Sequence, residues 1–224
     1  MGVAVHEAIM EWEKSNRELD IYDKYKEVYD REVNDSWTRQ PDERYWFLPP
    51  LSKSVTKSIN TYRSTGFGQI ETYIEYAESA PWEAQSLERQ FEIDLDGITV
   101  RGAVDRILFY PSSEEFIVED LKTGSPKEED DFRQLAFYAF VARTLWDIPV
   151  NVGRYWFTKV NRASEEFTFR PELLTSEYWS EQFHLLDMAI GLNIFLPSPG
   201  SSCGLCPVRP WCRSQGWLEI GEML

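Results

Sequence analysis

The sequence has few basic residues, few cysteines and only two histidines. Its 224 residues include 23 Lys or Arg against 38 Asp or Glu, which gives a formal net charge of −15. This balance excludes a generally basic surface for binding nucleic acid, although a local basic groove or metal ions could still supply positive charge. No run of about 18 apolar residues occurs, and no basic segment precedes an apolar stretch near the N-terminus. We therefore expect a cytoplasmic protein with no membrane partner.

The three cysteines, Cys203, Cys206 and Cys212, lie within one window of ten residues. An odd and small number does not build a disulfide framework, so this clustering predicts ligation of a metal or of a cluster. A [4Fe–4S] cluster takes four thiolates and a structural zinc takes four ligands. His184 could complete a zinc site with the three thiolates, and the alternative is three reduced cysteines in a tryptophan-rich tail.

The apolar content is sufficient for a folded core. Hydrophobic residues make up 42% of the chain and aromatic residues 15%, which excludes general disorder. The length suits one sizeable core. We expect a single domain over residues 1–224, with a helical part over 1–80, a sheet core with a helix over 81–170, and a C-terminal helix with a cysteine-rich tail over 171–224.

The hydrophobic period changes along the chain. Helical spacing predicts helices over residues 3–14, 20–33, 51–78, 128–146 and 176–195, the third interrupted near Gly66 and Gly68, with a loop over 34–50. Alternation predicts strands over residues 87–95, 98–110, 116–122, 152–160 and 166–169. The pattern indicates an α/β fold with a central, mostly antiparallel or mixed sheet and flanking helices.

Two turn signals set the expected register of the first three strands. Asp96-Gly97 suits a two-residue hairpin loop, and Ser112-Ser113 suits the centre of the second turn. Numbering outward from these turns gives the pairs that we expect on one face of the sheet: Arg106 with Glu119, Leu108 with Ile117, and Val104 with Leu121. A slip of one residue would lose this match of charge and of apolar character.

The same register predicts a row of carboxylates on the other face. Glu88 stands opposite Asp105, and Asp105 stands opposite Asp120, with Lys122 two residues further along the same face. Directly opposed like charges destabilise a sheet. A divalent cation would resolve the repulsion, because carboxylate oxygens are the ligands that hard cations prefer. The alternative is a solvated acidic face in which bulges break the register.

Three motifs carry a family resemblance. They are Gly102-Ala103-Val104-Asp105-Arg106-Ile107, Glu119-Asp120-Leu121-Lys122-Thr123-Gly124, and Gln134-Leu135-Ala136-Phe137-Tyr138. In this order they resemble the PD-(D/E)XK nuclease superfamily, and most of all its RecB-type branch, with the CRISPR-associated RecB-like exonucleases and the AddB nuclease domain. Gly2-Val3-Ala4-Val5-His6 is similar to the short helix that carries the metal-binding histidine of that branch. The resemblance spans residues 2–212 and implies a restriction-endonuclease-like core.

The resemblance implies a role for each residue of the expected site. The implied metal ligands are His6, Asp105, Asp120 and the Leu121 carbonyl. The other implied catalytic residues are Lys122, which would orient or activate the attacking water, Glu88 on the first strand, and Gln134 and Tyr138, which would border the site and contact DNA or Lys122. Gln134 and Tyr138 are one helical turn apart and therefore share a helix face.

The activity implied by the resemblance is that of a Mg²⁺- or Mn²⁺-dependent deoxyribonuclease, an exonuclease on single-stranded DNA ends, from a bacterium, an archaeon or a phage. One alternative is a catalytically weak DNA-end-binding or assembly subunit of recombination or CRISPR-adaptation machinery. Another is an acidic protein-interaction module, which would leave the carboxylate row unexplained. The cysteine tail resembles part of the family's iron–sulfur staple, whose remaining cysteine precedes the histidine helix. No cysteine precedes Cys203 in this sequence.

Overall fold

The central sheet lies between two groups of helices in the computed structural model, which describes residues 1–42, 54–126, 132–194, 206 and 208–214. The helices are α1 (Gly2–Lys14), α2 (Ile21–Arg39), α3 (Val55–Ser79), α4 (Arg133–Trp146), α5 (Ser176–Gly191) and α6 (Arg209–Ser214). The strands are β1 (Glu83–Leu95), β2 (Ile98–Tyr110), β3 (Glu115–Lys122), β4 (Val152–Phe157), β5 (Arg162–Ala163) and β6 (Phe167–Thr168). A short 3₁₀ helix, Pro171–Leu174, precedes α5.

The β1–β2–β3 meander forms in the predicted register. Leu95 pairs with Ile98, so Asp96 and Gly97 form the two-residue loop, with φ of 53° and 90°. These positive values suit the tight hairpin turns that match strand twist. The second hairpin pairs Tyr110 with Glu115, as expected for a turn centred on residues 112–113.

The expected pairs beside the second turn are also present. Arg106 lies opposite Glu119 and Leu108 lies opposite Ile117. The expected pair of Val104 with Leu121 lies beyond the paired residues of β2 and β3, because the backbone N–H of Leu121 donates instead to the Asp105 side chain.

The sheet is mixed, which confirms the predicted fold class. Its order is β1-β2-β3-β4-β5, and β6 also pairs with β4. β4 runs parallel to β3 and antiparallel to β5 and β6. A parallel neighbour needs a crossover connection, and here α4 lies between β3 and β4 in the chain.

Two apolar clusters cover the two faces of the sheet. Ile107 and Tyr155 belong to the cluster under α4 and α5, whereas their chain neighbours Leu108 and Trp156 belong to the cluster under α1, α2 and α3. This alternation is what pleated strands buried on both faces require. The sheet core therefore presents neighbouring residues of one strand to different groups of helices.

Several predicted helix limits were wrong. α3 is continuous through Gly66 and Gly68. A Cβ on Gly66 would overlap the Tyr25 side chain, so this glycine permits close packing of α2 on α3. α2 extends to Arg39, so residues 34–39 are helical and do not begin a loop. α5 ends at Gly191, four residues before the predicted end.

Other predicted limits differ at strand ends or lie outside the described residues. β1 begins at Glu83, earlier than predicted, and β4 ends at Phe157, where the chain turns back to form the unpredicted β5. Residues 43–53, 127–131 and 195–205 are outside the described part, as is Cys203. None of the helices within the described ranges is long and apolar enough to cross a bilayer.

Candidate active site

Asp105 and Asp120 lie together where the pairing of β2 with β3 ends. The last paired residues of these strands are Arg106 and Glu119, which directly adjoin the two acids in the chain. Asp105 Oδ2 accepts a hydrogen bond of 3.1 Å from the backbone nitrogen of Leu121. The structure thus brings the two predicted acids to one point, with the Asp105 carboxylate taking the place of a backbone acceptor.

α1 brings His6 to Asp105. His6 Nε2 lies 3.1 Å from Asp105 Oδ2, and Nδ1 lies 3.5 Å from Glu88 Oε1. Burial alone would lower the pKa of His6, but the hydrogen bond and charge of Asp105 outweigh it and raise this pKa. The close approach of α1 depends on Gly2, because a Cβ there would lie 2.7 Å from Thr123 Oγ1 at the end of β3.

Glu88 lies at its expected position on β1, between residues that keep the predicted register with β2, and Lys14 of α1 neutralises its charge. The neighbouring pairs, Leu87 with Arg106 and Arg89 with Val104, keep the predicted register on either side. Glu88 itself has a φ of 43°, a local departure from strand geometry. Its Oε2 lies 2.5 Å from Lys14 Nζ at the end of α1, so this acid has a counter-charge of its own.

A chain of polar contacts leads from Asp120 to α4. Lys122 Nζ lies 2.6 Å from Asp120 Oδ2 and donates a hydrogen bond of 3.1 Å to Gln134 Oε1. Gln134 Nε2 in turn donates to Tyr138 Oη over 2.9 Å. The Lys122 ammonium also stands 5.0 Å from the centre of the Tyr155 ring. These contacts hold the lysine beside the acids on the α4 side of the sheet.

The surroundings shift the pKa values of the two acids in opposite directions. Burial alone would raise the pKa of Asp105, but the hydrogen bond and charge of His6 lower it. Burial and the charge of Asp105 raise the pKa of Asp120 to about 6, despite the opposing charge of Lys122. The ion pair with Lys122 is not aligned as a hydrogen bond, so the buried Asp120 Oδ2 retains acceptor capacity. Asp120 Oδ2 therefore has an ionic partner but no aligned hydrogen-bond donor.

The donor types fit a hard divalent cation. Two carboxylates and one imidazole are suitable ligands for Mg²⁺ or Mn²⁺, and the under-bonded Asp120 Oδ2 is a ligand atom without competition from a well-formed hydrogen bond. Within the part of the chain that the structure describes, however, no three His, Cys, Asp or Glu side chains converge as a metal site. His6 contacts Asp105 directly and Asp120 contacts Lys122, so a cation would have to replace these contacts.

The sequence as a whole matches the profile of the PD-(D/E)XK nuclease superfamily over residues 1–213. The chain belongs to this superfamily. Its mixed sheet with flanking helices is accordingly the restriction-endonuclease-like fold of a PD-(D/E)XK protein. Nuclease activity and a DNA substrate follow from this membership, and proteins of the superfamily generally use Mg²⁺ or Mn²⁺.

Two phage proteins are similar to this PD-(D/E)XK chain. The Gene 69 protein of Mycobacterium phage D29 is 26% identical over 223 residues, which cover 93% of this chain and 81% of the phage protein. The Gene 69 protein of Mycobacterium phage L5 is 28% identical over 181 residues, which cover 79% of this chain and 57% of that protein. The relatives are thus phage proteins that match most of this chain.

Two contacts of this PD-(D/E)XK site were missed by sequence reasoning. Lys14 pairs with Glu88, and a signal existed, because Lys14 lies about two helical turns after His6 and on the same side of α1. Tyr155 lies beside Lys122 because it is the parallel partner of Asp120. No turn fixes the register of a parallel pair, so the sequence held no comparable signal for this contact.

The predicted cysteine site stays a prediction. Cys206 and Cys212 are half-buried free thiols, whereas Cys203 lies outside the described residues. His184 is exposed, and its Nδ1 lies 2.9 Å from the Ser180 carbonyl oxygen of its own helix. That contact lies within α5 and involves none of the cysteines.

Proposed function

We propose that this chain is a RecB-type, metal-dependent deoxyribonuclease that hydrolyses phosphodiester bonds at single-stranded DNA ends. The observation that carries the proposal is the convergence of Asp105, Asp120 and Lys122 where the pairing of β2 with β3 ends, with His6 placed on Asp105 by α1. Two neighbouring carboxylates repel each other even though His6 and Lys122 partly offset their charges, so this arrangement needs a reason outside folding.

His6, Asp105, Asp120 and the Leu121 carbonyl would hold Mg²⁺ or Mn²⁺. When bound, the cation would polarise the scissile phosphate and raise the acidity of the attacking water. Asp120 is suited to this role because Oδ2 keeps acceptor capacity. Glu88, neutralised by Lys14, would act from the neighbouring strand to hold His6 in orientation through Nδ1.

Lys122 would handle the charge that develops during hydrolysis. Water attacks phosphorus, the bond to the leaving oxygen breaks, and negative charge grows on the phosphoryl oxygens. An ammonium group placed there stabilises that charge or positions the water. Gln134, backed by Tyr138, fixes the Lys122 ammonium from the side of α4. The same two side chains would border the bound strand.

The test is a cleavage assay with a matched control. Single- and double-stranded DNA, labelled at either end, is incubated with the protein and Mg²⁺, Mn²⁺ or EDTA. We expect metal-dependent release of nucleotides from single-stranded ends and its loss in Asp120→Asn. Asp23→Asn is the control, because Asp23 forms a similar ion pair with Lys26 at 2.8 Å on the surface of α2. Equal activity of the two variants, or equal activity in EDTA, would contradict the proposal.

A catalytically weak DNA-end-binding subunit is the second candidate, within recombination or CRISPR-adaptation machinery. The direct contacts of His6 with Asp105 and of Lys122 with Asp120 favour it, since they leave no three ligands together among the described residues. The same assay distinguishes the candidates. Retention of DNA without cleavage at any Mn²⁺ concentration would support the subunit.

The cysteine tail has a separate test. A [4Fe–4S] cluster or a zinc ion held by Cys203, Cys206 and Cys212 would require a fourth ligand. Iron and zinc analysis of protein purified with and without oxygen measures this directly. Absence of both iron and zinc from both preparations would show that the predicted cysteine site is wrong.

A further inference from the structure

A groove between α4 and α5 opens directly beside Gln134, the residue that holds Lys122. Its volume is about 340 Å³, within the range of small-molecule sites, which is roughly 300–1,000 Å³. Phe137, Tyr178, Trp179 and Phe183 line it with aromatic rings. Because Gln134 lines this groove and also accepts a hydrogen bond from Lys122, the groove adjoins the candidate active site.

A second depression extends this surface beyond Tyr178. Tyr178 lines both spaces, and the second one, of about 580 Å³, also has Phe132, Phe167 and Arg170 in its walls. The two spaces are therefore neighbours on one surface, and their walls follow each other from Gln134 past Tyr178 to the Phe132–Phe167 pair. We call this surface the aromatic track and define it by Gln134, Tyr178, Phe132, Phe167 and Arg170.

The rings of the aromatic track are arranged for stacking. Phe132 is 41% exposed, and it lies nearly parallel to Phe167, with 5.8 Å between ring centres and 23° between planes. Flat faces of this kind accept any base, because every base has a π-face. A single exposed aromatic residue is ordinary, but here the exposed Phe132 lies against the half-buried Phe167, next to a groove that adjoins the candidate active site.

Charge along the track suits an anionic backbone. Arg133 lines the groove beside Gln134, and Arg170 lines the second depression, in a chain whose net charge is −15. Phosphate contacts come from such cations, and stacking supplies the binding of the bases. One acid, Glu172, also lines the second depression and opposes this effect.

We infer that the aromatic track binds the bases of single-stranded DNA whose backbone passes the Asp105–Asp120 site. The inference rests on the proposed function and adds to it the form of the substrate. Bases inside a duplex are stacked on each other and cannot reach these rings, so the track selects single strands and frayed ends. The proposal commits to DNA strands and not to a protein partner, because the track begins at the residue that orients Lys122.

The test measures affinity for a labelled 20-nucleotide single strand in an Asp120→Asn background, which prevents cleavage. Loss of one stacking ring typically weakens binding by about 5- to 150-fold. We expect losses of this size for Phe132→Ala and Tyr178→Ala, with Tyr178→Phe retaining affinity and Glu172→Gln increasing it. Tyr62→Ala is the control, since Tyr62 is 44% exposed on α3, in the other group of helices.

Affinities within twofold of the parent for both ring deletions would overturn the inference. So would equal losses of affinity for blunt duplex DNA, which would remove the selection for single strands. If Tyr178→Ala does not fold, photocrosslinking of an iodouracil-containing strand decides instead. We expect crosslinks at Phe132 or Tyr178, and crosslinks confined to other surfaces would overturn the inference.

A small substrate separates this inference from the proposed function. Hydrolysis of bis(p-nitrophenyl) phosphate with Mn²⁺ needs the acids and Lys122 but no base contacts. We expect Phe132→Ala and Tyr178→Ala to hydrolyse it at the parent rate while KM for the single strand rises. A parent protein that cleaves neither substrate contradicts the proposed function. If the parent protein cleaves both substrates and the two ring variants cleave both at the parent rate, the proposed function stands and only the aromatic track is contradicted.

Discussion

Two pairs of charged residues occupy neighbouring positions of β2 and β3 but face opposite sides of the sheet. Arg106 and Glu119 are fully buried and form an ion pair under α3, whereas Asp105 and Asp120 lie on the α4 side. Glu119 also accepts from Arg154 Nε, at 2.5 Å. One face thus neutralises its acid with two guanidinium groups, and the other face keeps two acids together.

The difference teaches how this sheet combines stability with reactivity. Tyr73 accepts from Arg106 and donates to Glu13 Oε1 over 2.8 Å, so the buried ion pair also ties α3 to α1. Arg106 and Glu119 are the last paired residues before the acids. The buried pair on one face therefore adjoins the two acids on the other, and we expect that each pair can be altered separately.

The largest expected effect is loss of stability in Arg106→Met. Removal of one partner of a buried ion pair typically costs about 3–5 kcal/mol, because the remaining charge stays buried. Glu119 keeps Arg154, but Arg106 also contacts Tyr73. Urea unfolding measures the change. Arg101→Met on the same strand is the control, since its 2.6 Å ion pair with Glu92 is exposed and contributes little to stability. Equal losses in both variants would contradict the comparison.

The next effect concerns catalysis on the opposite face. Lys122→Ala should lower the cleavage rate by on the order of 10²–10³-fold while metal and DNA binding persist, because the lysine acts on developing charge and is not a ligand. Cleavage rate against Mn²⁺ concentration measures it, with Lys26→Ala as the control for loss of a surface lysine. Full recovery of Lys122→Ala at high Mn²⁺ would instead make Lys122 a counter-ion for Asp120.

A smaller effect is a pH-dependent gain of stability in Asp120→Asn. The folded pKa of Asp120 is about 6, above its ordinary value, so the folded state favours the protonated acid. Stability of the metal-free protein should therefore fall as the pH rises from about 4 to 6, by on the order of 1–2 kcal/mol from this group. The Asn variant should lack this part of the fall. Melting temperatures in EDTA between pH 4 and 8 measure it, and parallel curves would contradict the raised pKa.

The smallest effect tests how α1 delivers His6. Gly2→Ala places a methyl group against Thr123 Oγ1, so either the Thr123 side chain must rotate or α1 must shift. We expect a several-fold loss of cleavage with little loss of stability, and recovery in Gly2→Ala combined with Thr123→Ala. Gly68→Ala meets open space on α3 and should stabilise by about 0.5–1 kcal/mol without changing cleavage. Unchanged activity of Gly2→Ala would show that His6 does not depend on this contact.

The buried pair was predictable because local turns fix the register of β1, β2 and β3. Asp96-Gly97 and the second turn place Arg106 opposite Glu119 by counting alone, and the structure confirms this pair. The third partner, Arg154, was not predictable, because β4 follows a helix and its parallel register is set by packing. The predicted interruption of α3 near Gly66 and Gly68 was wrong for a related reason. Packing of Tyr25 against Gly66 outweighs the low helix propensity of glycine.

The Asp105 side chain closes a gap in the β2–β3 ladder by accepting the Leu121 N–H. This contact has a consequence for descendants of the chain that lose nuclease activity. Replacement of Asp105 by Ala would leave a backbone donor unsatisfied, whereas Asn keeps an oxygen in place. Drift after loss of activity should therefore pass through Asn at this position, whereas the Lys122 side chain, which closes no ladder, should be lost together with the charge of Asp120.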